Sequence, residues 1–326
     1  MLRLWNLEPA AYARHPLHSA DRAWLEANCS VDLWVELLHT AGAEPLAALP
    51  FALTVDVEGD QWTFFKFPLA DLEALYDVSV FELNVWRPLV LHVAEQLALS
   101  RPSIVEVDAF YLPDTAGTSY RAEHVKTSIG IQGLDRDGRR LGYFHNAGYY
   151  ELTGPDFAGV FRLEGHLTSP EYLPPYVEVA KLGTRPQPTG RALVEASLSL
   201  LRAHLARRPT SNPFRRYAAR FDRDLEWLTT EPLSCFHSYA FATLRQFGAA
   251  FELAGAYLRW LQAAGESGLE RVEEGCELIA TTAKVLQFKT ARAVSTRRSF
   301  DAAPTLEKMA EAWDGTMTAL TSRYGS

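Results

Sequence analysis

The feature that most constrains the fold is a change of texture part-way along the chain, at the stretch LTSPEYLPPYVEVAKLGTRPQPTG (167–190). Prolines and glycines at this density interrupt helices and strands alike and mark a connection between domains. Before it, short β-like runs alternate with helical segments; after it, the chain reads as helix after helix. We therefore expect an α+β domain over 1–183 and an all-α helical bundle over 184–326, with the boundary near Leu182–Thr189. The chain's 326 residues exceed what a single hydrophobic core usually organises, which agrees with two domains.

In the first part, FALTVDV (51–57) and QWTFFKF (61–67) read as strands around the turn-forming Glu58-Gly59-Asp60, and IVEVDAFYL (104–112) as a strand stopped by Pro113. HVKTSIGIQGLDRDGRRLGYFHN (124–146) reads as a hairpin turning at Asp137-Gly138. A helix follows at 154–163. In the second part the apolar stripes are regular: Val194, Leu198, Leu201 and Leu205 form one, and Phe214, Tyr217, Phe221, Leu225 and Leu228 the next. One long helix is expected at about 234–264, where Gly248 and Gly255 would let a neighbour approach closely.

Charge and cysteine content exclude several function classes. With 40 acidic against 32 basic residues, the net charge of −8 disfavours general nucleic-acid binding, which needs a basic face to release counterions. Cys29, Cys235 and Cys276 form no CxxC pair, so neither a disulfide framework nor a structural metal site is expected. The N-terminus lacks a signal-peptide pattern, and the apolar run near 240–261 is broken by Arg245, Gln246, Glu252 and Arg259. The expectation is a reduced, cytoplasmic protein without a membrane span. Phosphate-binding glycine loops and the GxSxG elbow are missing from the sequence.

Cys29 is the residue with a reason to react. It precedes the apolar run VDLWVELL (31–38), with Asn28 or Ser30 as candidate N-cap. Unpaired N–H groups and the positive end of the macrodipole at a helix start favour thiolate over thiol, and the same N–H groups form half of an oxyanion hole. A cysteine nucleophile also needs a base, and that imidazole needs a third group to fix its tautomer. His124, opening the first strand of the hairpin, and Asn146, just past its second strand, are candidates for those two roles. Asp135 and Glu151 stand as substitutes for Asn146, and His145 as a rival base. Gln61, beside Glu58 and Asp60, is a candidate oxyanion donor, although no Gln precedes Cys29 as in papain-like enzymes.

The order of helix-start Cys, strand His and post-hairpin Asn is papain-like. The segment VDAFYLPDTAGTSYRAEHVKTSIGIQGLDRDGRRLGYFHNAGYYELTGPDF (107–157) resembles the butirosin-biosynthesis-protein-H-like acyltransferase family: an acidic strand ending in aromatic-Leu-Pro, then His, then a hairpin, then an Asp-containing step into a helix. The chain also resembles a bacterial family of papain-like proteins associated with amino acid:carrier-protein ligases, through its Cys-Ser-Val-Asp-Leu-Trp helix. The papain-like resemblance covers roughly residues 20–165. It implies a papain-like domain with Cys29 as nucleophile, His124 as general base and Asn146 as orienting group, although the related acyltransferases usually carry Asp at that last position. Asp108 and Tyr111 match family positions on the preceding strand, and with Asn28 and Gln61 they are assigned to substrate positioning.

The implied reaction is acyl or aminoacyl transfer from a carrier-protein thioester to an acceptor through a Cys29 acyl-enzyme. No bound cofactor or metal is implied, only the phosphopantetheine of the partner carrier. The stretch LLRAHLARRPTSNPFRRYAARFDRD (200–224) concentrates arginine, and Arg207, Arg208, Arg215 and Arg216 are candidates for docking an acidic carrier protein. Two other readings stay open: a cysteine peptidase or amidase with the same triad, and a non-catalytic carrier-binding scaffold.

Overall fold

The structure is a computed structural model, and it describes residues 1–19, 21–163 and 173–325. The elements run β1 (Leu2–Arg3), α1 (Cys29–Thr40), β2 (Val57–Glu58), β3 (Gln61–Trp62), α2 (Leu69–Tyr76), β4 (Val78–Glu82), α3 (Leu89–Ala98) and β5 (Ser103–Asp108). Then come β6 (Lys126–Asp135), β7 (Arg140–His145), β8 (Gly148–Thr153), α4 (Gly154–Phe161) and β9 (Val177–Leu182). Among the described residues the helices that follow are α5 (Gly190–Leu205), α6 (Pro213–Thr230), α7 (Leu233–Ala242), α8 (Leu244–Ala263), α9 (Glu270–Thr296) and α10 (Ala303–Tyr324).

The chain divides into two compact units. One comprises Met1–His18, Asn28–Pro45 and Leu69–Gln187; the other comprises Ser19–Ala27, Leu46–Pro68 and Pro188–Ser326. The second unit thus takes in two segments that precede the proline-rich connection. Residues 167–172 of that connection, with Pro170, lie outside the described residues. No helix among the described residues is long and apolar enough to cross a membrane.

The first unit is α+β. Among the described residues its sheet has seven strands, in the order β4-β9-β5-β6-β7-β8 with β1 also paired to β6, and the pairings are antiparallel. Side chains alternate between the two faces of a strand. On one face Val105, Val107, Ile129 and Ile131 form a core with Val93 and Leu97 of α3 and Phe157 and Phe161 of α4. The other face carries α1: a Cβ added at Gly130 would lie 2.7 Å from Leu33 Cδ1. Asp108 is paired with Lys126, four residues before Gly130 on the same strand, so by alternation Asp108 points to the face that α1 covers. β9 was unforeseen, because its residues sit inside the proline-rich connection.

The second unit is helical, with α8 packed against α9 and α9 against α10. Two expectations within it are corrected. FALTVDV is not a strand: Pro50 opens a 3-10 turn over Pro50–Thr54, and only Val57–Glu58 pairs with Gln61–Trp62. Phe51, Ala52 and Leu53 are buried in succession, which a one-faced strand would not allow. The long helix at 234–264 is two helices, because Thr243 leaves helical geometry (φ −127°, ψ −85°) and its hydroxyl donates to the Tyr239 carbonyl at 2.7 Å.

Gly248 meets the expectation of close approach, since a Cβ there would overlap the Trp24 indole. Gly315, inside α10, has nothing within 4 Å of an added Cβ. Glycine-to-alanine changes in these two helices should therefore have opposite signs. Gly315→Ala is expected to stabilise by up to about 1 kcal/mol, and Gly248→Ala to destabilise by about 1–3 kcal/mol despite the better helix former. Urea unfolding midpoints of the two variants check this; a stabilised Gly248→Ala protein would contradict the packing described.

Candidate functional site

α1 begins at the cysteine. Asn28 is its N-cap, with Oδ1 accepting from Ser30 N at 3.1 Å and Val31 N at 3.0 Å. The cap consumes two first-turn N–H groups and leaves the Cys29 N–H as the donor it does not take. Asn28 is itself buried, so the substrate-positioning role expected of it is corrected to capping. Cys29 is partly exposed.

A feature that the sequence reading missed lies on the same helix. Asp32 and Glu36, three and seven residues after Cys29 on one side of α1, are both buried and clamp the buried His18 imidazole. His18 Nε2 lies 3.1 Å from Asp32 Oδ1, and its Nδ1 bonds Glu36 Oε1. Glu36 also accepts from the Tyr12 hydroxyl at 2.5 Å and from the His15 backbone N–H. Burial alone would pull the His18 imidazole below its ordinary value, but the hydrogen bonds it donates to Asp32 and Glu36, with the charges of the two carboxylates, outweigh it and hold it above. The signal was available: two acids four residues apart in a helix otherwise apolar all round demand a buried counter-charge.

His124 is held by a different residue from the one expected. Its Nδ1 lies 2.6 Å from Asp108 Oδ2, while Asp108 Oδ1 accepts from Phe110 N at 3.0 Å. The imidazole stacks on Phe110 at 4.5 Å between centroids and 14° between planes, and its side chain is 70% exposed. The Arg121 guanidinium lies over Phe110, Tyr111 and Tyr120 at 5.3–5.4 Å and pairs with Asp156. Asp108, assigned above to substrate positioning, is thus the group that orients the histidine, correcting the role given to Asn146.

Asn146 instead sits in the two-residue corner between His145 and Gly148, with φ +46°, a left-handed conformation that asparagine tolerates better than most residues. The two substitutes are also spent elsewhere. Asp135 caps the hairpin turn through Gly138 N at 3.0 Å, and Glu151 accepts from Arg140 Nε at 2.8 Å.

The rival base, His145, is buried and engaged at both nitrogens. Nδ1 meets Asp114 Oδ2 at 2.5 Å and Nε2 meets Thr127 Oγ1 at 2.8 Å, while the Tyr143 hydroxyl donates to Asp114 Oδ1 at 2.5 Å. Burial, with Asp114 beside it, pushes the Tyr143 hydroxyl up. The group ties the Pro113–Thr115 turn to β6 and β7. Asp114, Thr127 and Tyr143 were not anticipated, because their association crosses three separate segments.

Cys29 and His124 are not brought into a bonded pair: among the described residues no hydrogen bond joins the thiol to the imidazole, whose partners are Asp108 and Phe110. They do share a face of the sheet, since α1 covers the side to which Asp108 points. Tyr111 packs against α4 at Gly159, where an added Cβ would overlap its ring, and so has a packing role in place of the expected substrate-positioning one. Gln61 belongs to β3 in the helical unit, paired with Glu58.

The arginine candidates are largely committed within the chain. Arg215 bridges Asp314 (2.6 Å) and Glu307 (3.0 Å), and Arg216 pairs with Asp56 and donates to Val57 O at 3.1 Å. This corrects their assignment to carrier docking. Arg207 and Arg208 donate to the carbonyls of Ala203 and Leu205. Among the described residues no group of three or more His, Cys, Asp or Glu side chains is placed to hold a metal ion.

A histidine with a carboxylate on Nδ1 has a fixed tautomer and presents Nε2 as a proton acceptor. His124 is arranged for that work, and His145 is not, because Thr127 occupies its second nitrogen. The His18 clamp makes stability pH-dependent with a definite sign. A histidine raised above its ordinary value of 6.5 stabilises the fold fully below that value, and the contribution is lost as pH rises through the folded value. An NMR titration of the His18 ring should give a midpoint above 6.5, with unfolding free energy falling through the same range. A midpoint at or below 6.5 would contradict the clamp.

The two parts of the chain match two family domains. The DUF1839 N-terminal domain matches residues 13–182, and the DUF1839 C-terminal domain matches residues 190–322. Comparison with curated proteins finds no match. With both domains matched in order over most of its length, the chain belongs to the DUF1839 family.

Proposed function

We propose that the α+β unit is a papain-like cysteine acyltransferase, in which Cys29 takes an acyl or aminoacyl group from a phosphopantetheine thioester on a carrier protein and passes it to an amine or hydroxyl acceptor. The observation that carries the reading is the His124–Asp108 pair: an exposed imidazole, oriented by a carboxylate at 2.6 Å, on the sheet face covered by the helix that starts at Cys29.

The chemistry divides into two steps. The Cys29 thiolate attacks the thioester carbonyl, a new S–C bond forms, the old one breaks, and the pantetheine thiolate leaves and takes up a proton. Exchange between thioesters is close to isoenergetic. The acceptor then attacks the Cys29 thioester while His124 Nε2 removes its proton and returns it to the departing Cys29 sulfur. Because thiol and imidazole are not bonded to each other, His124 is assigned to this second step, and the Cys29 N–H is the α1 donor left for the oxyanion. Arg207 and Arg208, which pair with no carboxylate among the described residues, remain for an acidic carrier.

The unbonded thiol and imidazole also favour a second reading, a non-catalytic scaffold on the same fold. Intact-mass spectrometry after mixing with an acyl-loaded carrier protein separates the two. The acyltransferase reading predicts a one-acyl adduct on the wild type that is absent from Cys29→Ala. No adduct on the wild type, or an equal adduct on Cys29→Ala, leaves the scaffold reading.

A further inference from the structure

The last turns of α9 gather cations that the acyl-transfer reading does not use. Lys284, Lys289, Arg292, Arg297 and Arg298 follow one another with no acid between Glu277 and Asp301. In a chain of net charge −8, so one-sided a run concentrates positive potential in one place. The arginines of α6 set the contrast. Arg215, Arg216 and Arg220 are each paired with a carboxylate of the same chain, whereas no carboxylate pairs with Lys289, Arg292 or Arg298 among the described residues.

Those three side chains line a single cleft of about 400 Å³, within the size range of small-molecule sites. The end of α9 builds it. Arg297 takes a left-handed conformation (φ +54°) and donates its N–H to Val294 O at 3.3 Å, and Arg298 N donates to Ala293 O at 3.0 Å. This cap satisfies two carbonyls of the last turn and carries Arg298 and Ser299 to the same cleft as Lys289 and Arg292. Phe300, half-buried in the lining, meets the Phe221 ring of α6 edge-on at 6.3 Å and pins the connection in place.

The charges of the cleft specify its ligand. The acid of its lining, Asp301, accepts from Ala303 N at 2.9 Å in the first turn of α10, whose positive end offsets the carboxylate. Lys289 Nζ reaches a neutral hydroxyl, Thr305 Oγ1, at 3.4 Å. Three cations with one acid leave two positive charges over. A phosphate monoester, which carries about −1.5 to −2 near pH 7, supplies that charge and offers several acceptor oxygens to the guanidinium forks and the Ser299 hydroxyl. A carboxylate supplies one charge and leaves the other unmatched.

We propose that this cleft holds the phosphate group of a small soluble phosphate monoester, with Arg292 and Arg298 bonding the phosphate oxygens and Lys289 supplying the third positive charge. The inference is independent of the chemistry assigned to Cys29, and its test involves no acyl transfer.

Isothermal titration of the full chain with glycerol 3-phosphate and with acetate, at constant ionic strength, tests it. Glycerol 3-phosphate is expected to bind saturably and at least about tenfold more tightly than acetate, because a hydrogen bond to a charged group is worth about one to two decades in affinity. Arg292→Gln and Arg298→Gln should each lose about tenfold with unchanged unfolding midpoints, since both residues are exposed. Arg271→Gln, exposed near the start of α9 and about 30 Å away along the helix, should bind as the wild type does. No saturable glycerol 3-phosphate binding, acetate binding as tightly, unchanged affinity in the folded cleft variants, or an equal loss in Arg271→Gln would overturn the proposal. So would cosedimentation with phosphatidate-containing vesicles by a chain that does not bind glycerol 3-phosphate, which would assign the cations to a lipid surface.

Discussion

The arrangement of the α+β unit depends on two acids that have no business in a buried helix unless something neutralises them. α1 covers one face of the sheet, and Asp32 and Glu36 lie wholly inside it. Burying unpaired carboxylates is costly, and removing the partner of a buried charge typically destabilises by about 3–5 kcal/mol. The partner here is His18, with Tyr12 and the His15 N–H completing the set around Glu36. All three come from the segment before α1, so meeting the charge requirement of the helix also draws the N-terminal segment onto it. That fixes α1 beside Gly130 and places its capped N-terminus, with Cys29, on the face toward which Asp108 points.

The same sheet carries two His–Asp pairs, and burial separates their work. His145 and Asp114 join Thr127, whose strand partner Val107 belongs to the α3 core face; both ring nitrogens are spent and the group acts as a staple. His124 and Asp108 lie on the opposite side, with the imidazole exposed to solvent. The two pairs use the same residue types within a few positions of each other. Strand alternation, through the one-residue offset between Thr127 and Lys126, decides which faces the core and which faces α1.

Much of this was legible in the sequence where the signal was local. The start of α1 followed from an Asn-Cys-Ser step before an apolar run, and the hairpin from Asp137-Gly138. The change of texture anticipated the separation of sheet and helices, and Cys276 on its bundle stripe is buried, which pushes its thiol up. What failed was non-local or overridden by a single residue. Pro50 turned an apparent strand into a 3-10 turn, and Thr243 divided one apolar helix in two. β9 was hidden by the prolines around it. Asp108 was recognised as a site residue, but its pairing with His124 depends on the β5–β6 register, which spacing along the chain does not reveal. Asn146 occupied the sequence position of an orienting residue yet meets the needs of a tight corner.

The central claim is that His124, oriented by Asp108, handles the acceptor's proton while Cys29 holds the acyl group. Single-turnover decay of a preformed Cys29 acyl adduct on addition of an amine acceptor, compared between the wild type and Asp108→Asn, tests it most directly. The account predicts an adduct that forms to the same extent in both proteins but decays about 100-fold or more slowly in the variant, the range expected for loss of general-base catalysis. Equal decay rates would contradict it.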